Sequence, residues 1–286
     1  MTYDTRRWPE LGFGTRPYIH SNSSERIYSG GSRGYGFAGL EQESLSLFGR
    51  MITPPLGDAV GAVNTLISSL KSAGIWDKLS TLKFFSTNIS ATQADLLLDW
   101  KSASYNGTAV NSPTFSSIGV TGNASSSYIN SGFNPSLSSK YTQNDHSHIV
   151  YVSASPGASA AVEAGDTNSY IVTRNTGDVV TVRSASTSGA NTTSTVATAL
   201  GMTSEVRTAS GNTNIYKDGS LLQTITLASN GLSNTNMYIC ARNGAGTPVS
   251  FSARTVFMHA AGASLTAMDV ANLSAAVEAF KTAIGA

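Results

Sequence analysis

Charge is scarce in this chain: Asp, Glu, Lys and Arg make up 12% of its 286 residues, against about 25% in an ordinary soluble protein. Ser, Thr, Asn, Gly and Ala take their place, so solubility rests on neutral polar groups. The formal net charge is +1 and the pI about 7.8, which leaves no field to gather a phosphate backbone or an anionic membrane. Nucleic acid is not an expected partner. Cysteine is scarcer still. Cys240 is the only one, which rules out an intrachain disulfide and any multi-cysteine zinc or iron–sulfur site. In the strand-like run 237–241 it reads as a small buried hydrophobe rather than a nucleophile. Long apolar runs are missing too. No stretch approaches the roughly 18 residues of a membrane span, and the opening MTYDTRRWPELGFG has no apolar signal core. Neither Sec export nor membrane insertion is expected.

What is present divides into four segments. Residues 1–52 are rich in Gly, Arg and aromatics and show neither a helical nor a strand period. A polar, glycine-rich stretch of this kind cannot bury enough surface to fold alone, and a disordered tail is the plain alternative. Its spaced rings and arginines, with six arginines against five acids, suit an extended assembly arm inserting side chains into a partner. Trp8, Phe13, Arg16, Tyr18, Arg33, Tyr35 and Phe37 are its candidate contacts. Residues 53–94 read as a helical connector packing on the main domain: after Thr53-Pro54-Pro55, apolar Leu56, Val60, Val63, Ile67 and Leu70 recur at helical spacing until Gly74. Ile75, Trp76, Leu79 and Leu82 extend the apolar set, and KFFS looks like a strand.

From about residue 95 to 262 the texture becomes short alternating or β-branched runs separated by Gly, Asn, Ser and Pro, the pattern of an antiparallel β-sandwich. The clearest strands are 148–154, 169–173, 179–184, 203–208, 213–217, 220–227, 237–241 and 255–260. Asp218-Gly219 between two of them predicts a two-residue hairpin, because a type I′ turn needs positive φ at both central positions. The Ser- and Thr-rich span 184–198 is a long loop or weak edge structure. Residues 263–286 close the domain with a helix: Thr266 caps it, Asp269 returns a bond, Leu265 staples onto Val270, and Val270, Leu273, Val277, Phe280 and Ile284 share one face.

The runs SASYNGTAVNSPTFSSIGVTGNASSSYINSGFNPS (102–136), IYKDGSLLQTI and MYICARNGAGTPVSFSARTVFMHAAGASLTAMDVANLSAAVEAFKTAIG, taken in order, resemble a concanavalin A-like, LamG-like sandwich module frequent in tailed-phage and prophage proteins. The resemblance covers roughly residues 55–286. It implies a mainly β fold: a jelly-roll sandwich with flanking amphipathic helices behind the N-terminal arm. It also implies a non-enzymatic virion component at the particle surface, such as a tail fibre, collar, spike or head decoration. The arm would dock to other virion proteins or sister subunits, and a homo-oligomer, taken as a trimer, follows from the symmetry of virion appendages. Modules of this superfamily also bind glycans, so adsorption to a host cell-surface glycan is the alternative. Exposed rings at Tyr105, Tyr128 and Tyr141 would then stack on sugar, though each also suits core or turn packing.

Catalytic and metal chemistry finds little support. Glycosidases need two carboxylates about 5–9 Å apart, and residues 95–262 hold only two glutamates, Glu163 and Glu205, in separate segments. Glu163 and Asp166 read as acids of a solvated hairpin, which leaves a polysaccharide hydrolase as the third reading. Asp145-His146-Ser147-His148 is the densest polar cluster, with both imidazoles on one face of a strand; His20 and His259 cannot be placed beside them, and a water-satisfied strand start is the simpler reading. Calcium is common in LamG-like modules, and Asp166, Asp178 or Asp218 would be its carboxylates, yet no regularly spaced acidic loop is present. No G-x-S-x-G elbow occurs, and Gly30-Gly31-Ser32-Arg33-Gly34 lacks the lysine of a phosphate cradle. No cofactor, metal or catalytic residue is therefore assigned.

Overall fold

A computed structural model describes residues 39–286; the arm candidates from Trp8 to Phe37 lie outside these residues. Four helices, α1 (Gln42–Arg50), α2 (Asp58–Ser72), α3 (Gln93–Leu96) and α4 (Ala267–Ala283), accompany seventeen strands. In chain order the strands are β1 (Leu79–Phe84), β2 (Thr108–Val110), β3 (Thr114–Ser116), β4 (Gly119–Thr121), β5 (Tyr128–Asn130), β6 (His146–Ala154), β7 (Ala164–Gly165), β8 (Tyr170–Asn175) and β9 (Val179–Arg183). They continue as β10 (Asn191–Thr195), β11 (Gly201–Arg207), β12 (Asn212–Lys217), β13 (Ser220–Thr226), β14 (Tyr238–Ile239), β15 (Arg242–Gly244), β16 (Thr247–Val249) and β17 (Thr255–Gly262).

Two antiparallel sheets face each other. The first runs β13-β12-β11-β6-β17-β4-β3, with β1 also on β17; the second runs β10-β9-β8-β7-β14-β5-β2. β17 pairs with β6 along one edge and divides the other between β1, opposite Met258–Gly262, and β4, opposite Thr255 and Val256. The alternation of strand side chains puts Val150, Ile215 and Val256 of the first sheet against Ile129, Ile171, Val182 and Ile239 of the second. The opposite side of the first sheet carries Ile149, Tyr151, Met258 and Ala260, which pack with Leu66, Leu70, Val270, Leu273 and Val277 of α2 and α4. At its centre Phe84 meets Trp100, Phe280 and Phe257 with ring centroids 4.6, 4.9 and 5.5 Å apart. The fold is thus a β-sandwich with a helical layer on one side.

All eight sequence-read strands are present, with ends shifted by a few residues at most. Asp218 and Gly219 have φ of 48° and 83°, the pair of positive values a type I′ turn requires. The Ser/Thr-rich span contributes β10 at a sheet edge. Thr266 and Asp269 form the reciprocal cap of α4. Three expectations are corrected. The first helix of the connector starts at Asp58, after Gly57 at φ 60°, so Leu56 lies ahead of the apolar stripe and is 78% exposed. The KFFS strand begins earlier, at Leu79, and joins the first sheet rather than standing beside it. Within the stretch read as lacking any period, residues 42–50 form α1, which buries Leu47 and Phe48; its two and a half turns are too short to register among glycines.

Candidate functional site

The tyrosines proposed to stack on sugar are spoken for. Tyr141 is 0% exposed and its ring lies on His146 at 4.2 Å, so no ligand can reach it. Tyr128 is buried against Tyr238, ring centroids 4.4 Å apart, and half-buried Tyr105 meets Phe133 edge-on at 5.2 Å.

The polar cluster at residues 145–148 is likewise corrected: only Asp145 is exposed, while His146 and His148 are sealed between the sheets. There the fold brings up His259, whose Nε2 lies 3.2 Å from Nε2 of His148. Burial lowers the His148 pKa to about 4 and that of His259 well below the usual imidazole value, so both stay neutral at pH 7. Among the described residues, no group of three or more His, Cys, Asp or Glu side chains is placed to hold a metal. Asp178 pairs with Arg174 and Asp218 with Lys217, both in turns. Cys240 is 0% exposed, and burial pushes its thiol up to about 12. It is inert.

Glu163 and Asp166, read as acids of a solvated hairpin, are interior, and so is Glu205. Glu163 is 0% exposed and its Oε1 lies 2.5 Å from Nη1 of Arg254. Glu205, 1% exposed, accepts from Ser184 and Thr213. Asp166 is 0% exposed; its Oδ1 accepts from the N–H groups of Asn168 and Ser169, both at 2.8 Å, while Oδ2 has no hydrogen-bond partner. Burial pushes its carboxyl up to about 7, against the pull of those two N–H groups and of Arg183. The folded protein therefore keeps a proton that the unfolded chain releases near pH 4, and this stabilising contribution is lost as pH rises towards 7. Asp166→Asn removes that titration. Its stability relative to the parent should rise by roughly 1.4 kcal/mol per pH unit between pH 5 and 7 and then level off; a gap independent of pH in urea titrations would refute it.

One open cavity gathers different chemistry. It measures about 340 Å³ and lies where α1 meets the turn at Trp76 and the segment Trp100–Ala103, with Gln42, Glu43, Ser46 and Arg50 forming its helical wall. A buried charge sets its geometry. Asp99, fully buried, accepts from Lys83 Nζ at 2.5 Å and from the Thr81 hydroxyl through Oδ2. Its Oδ1 accepts from the N–H groups of Lys101 and Ser102 at 2.8 and 2.9 Å, which fixes the turn carrying Lys101. Its carbonyl accepts from Arg50 Nη2 at 2.8 Å, which ties α1 to the same turn. Lys101 then lies with Nζ 3.8 Å from the centre of the Trp76 ring, an attractive cation–π placement. Burial, then the charge of Lys140, lowers the Lys101 pKa to about 8, against Asp77, Glu43 and Asp99. Glu43, the cavity's carboxylate, is occupied by Lys71 at 2.7 Å.

Sequence reasoning used Trp76 only as an apolar residue and passed over Trp100 and Lys101. Two of the chain's three tryptophans meeting here was the available signal, but their meeting depends on Asp99, whose partner Lys83 no spacing rule identifies.

No known protein family matches the chain, and no curated protein matches it either. Solved structures that resemble it are β-sandwich domains. Domain 4 of AbnA, a GH43 extracellular arabinanase from Geobacillus stearothermophilus solved with arabinotriose, is 16% identical over 69% of this chain and 98% of its own, with a TM-score of 0.46. Trypanosoma rangeli sialidase is 11% identical over 77% of this chain, with a TM-score of 0.49; the match spans 39% of the sialidase. The botulinum neurotoxin serotype D binding domain is 9% identical over 71% of this chain and 52% of its own, with a TM-score of 0.48. Values this low carry no residue correspondence.

Proposed function

We propose that this chain is a non-enzymatic structural protein of the phage-virion type, presenting its lectin-like sandwich at the particle surface and taking up a host-surface saccharide in the cavity beside α1. The observation that carries the saccharide reading is the composition of that cavity: an amine from Lys101, a carboxamide from Gln42 and a hydroxyl from Ser46 converge there, beside the largely buried indoles of Trp76 and Trp100. Hydrogen-bonding groups converging on a concavity are what sugar recognition uses. A hydrolase would need two carboxylates free to act across a glycosidic bond; Glu43 is bound to Lys71, and Glu163 and Glu205 are buried in structural contacts. The virion setting rests on the sequence resemblance, as do residues 1–52 as the docking arm and the homotrimer.

The full chain, incubated with host cells and their purified surface polysaccharide, should bind saturably and release no reducing ends. Release of reducing ends would replace this reading with an enzyme. Folded protein that binds neither cells nor polysaccharide would leave a decoration or connector whose task is assembly alone.

A further inference from the structure

The cavity beside α1 has a charge pattern of its own. Arg50 spends its bonds on neutral carbonyls: Nε on Ser46 at 3.4 Å and Nη2 on Asp99 at 2.8 Å. Its buried Nη1 has no hydrogen-bond partner. Lys101 is in the same position, for its ammonium forms no ion pair among the described residues and rests only on the Trp76 ring. Lys140, near enough to depress the Lys101 pKa, spends its bonds on the carbonyls of Asp77 and Leu79. Of the acids that act on Lys101, Glu43 is paired with Lys71 and Asp99 with Lys83, while Asp77 acts through its charge and forms no ion pair among the described residues. In a chain of net charge +1, a recess with two cations that form no ion pair among the described residues is a local feature, not the expression of a basic surface.

We propose that the ligand of this cavity is a carboxylated saccharide, a uronic or other sugar acid, whose carboxylate meets the Lys101 ammonium while Arg50 supplies a fixed second positive charge in the wall behind. The inference rests on the saccharide reading above and narrows it. Lys101 is the direct donor, because it lines the cavity and its Nζ makes no hydrogen bond or ion pair among the described residues; Arg50 acts through its charge, because Nη1 is closed to solvent. Partial desolvation of both groups strengthens their attraction for an anion relative to the same charges in water. Gln42 and Ser46 provide amide and hydroxyl partners for ring hydroxyls. A cavity of about 340 Å³ is at the small end of ligand sites, which suits one sugar residue of a longer chain.

The test uses the full chain, with polygalacturonate, alginate, hyaluronate and polysialic acid as probes, each compared with its carboxyl-reduced form by calorimetry. At least one acidic polymer should bind about tenfold or more tightly than its neutral counterpart, and Lys101→Gln should remove that preference while leaving the far-ultraviolet spectrum and melting unchanged. Affinity of the parent for that polymer should fall as pH rises through about 8 and that of Lys101→Gln should not. Equal binding of acidic and reduced forms, unaffected by Lys101→Gln, would overturn the carboxylate inference and leave the saccharide reading standing. Equal binding of dextran sulfate with the same loss in Lys101→Gln would overturn it in favour of a general polyanion site. Binding of none of the polymers in either form would remove both readings.

Discussion

Arg254→Ala should lower the unfolding free energy by about 3–5 kcal/mol, the range for removing one partner of a buried ion pair. The side chain is 1% exposed and ties its strand to three other segments at one end of the sandwich: Nη1 to Glu163 Oε1 at 2.5 Å, Nε to Ser155 Oγ at 3.1 Å, and Nη2 to the carbonyls of Gly157 and Arg174 at 2.8 and 2.5 Å. Its loss strands these acceptors and leaves Glu163, whose carboxyl burial already pushes up, without the cation that pulls it back. Arg254→Lys should recover little, since one ammonium cannot fan out to all of these acceptors. Glu163→Gln, which keeps the shape and an acceptor for the N–H of Thr173, should cost less than Arg254→Ala. Urea denaturation of the three variants checks the order, and a loss under 1 kcal/mol in Arg254→Ala would show that the pair does not hold this end together.

A chain beginning at residue 90 should fail to fold. It lacks α1, α2 and β1, and with them a dozen side chains no more than 5% exposed: Leu47, Phe48, Met51, Val63, Leu66, Ile67, Leu70, Ile75, Trp76, Leu79, Leu82 and Phe84. The cut exposes the side of Ile149, Tyr151, Phe257, Met258, Val270, Leu273, Val277 and Phe280 that packs with them; at roughly 1.5–3 kcal/mol for a fully uncovered apolar side chain, even partial exposure of these eight is comparable to the roughly 5–15 kcal/mol by which native domains are stable. The cut also uncovers the edge of β17 opposite Met258–Gly262, an unpaired strand prone to aggregation. Circular dichroism and thermal unfolding of the refolded fragment decide the matter: a cooperative transition near that of the full chain would sink the prediction.

These expectations mark where sequence reading succeeds and stops. Strands such as β8, β12 and β13 were legible because alternation and the turn chemistry of Asp218-Gly219 are local, and α4 because its cap, staple and apolar face lie within one window. Boundaries that depend on distant partners were not legible. Nothing in residues 79–84 says that the strand pairs with β17 from nearly 180 residues away, and helix α1 shows its period only once Leu47 and Phe48 are seen against α2. The buried polar residues were misread for the same reason. A Glu163 or His148 inside a sandwich breaks the rule that charge lies outside, and only the placement of Arg254 and His259 makes each tolerable. The cavity draws on three separated stretches of chain, two of them tied together by the buried Asp99, and no local pattern in the sequence brings them together.

The charges between the sheets also bear on strand alignment. On β11, Thr203, Glu205 and Arg207 face the second sheet while Met202 and Val206 face the helices, and on β6, His146 and His148 lie opposite Arg207 and Glu205. Aliphatic rows alone tolerate slippage, but a shift by one residue turns every side chain to the other face. Here such a slip would drive Glu205 and Arg207 into the apolar layer beneath α2 and α4, with neither Ser184 nor Thr213 within reach. Misaligned pairings of a serine- and threonine-rich sheet would otherwise differ little in energy; the interior charges separate them, so that only one threading of the strands is habitable.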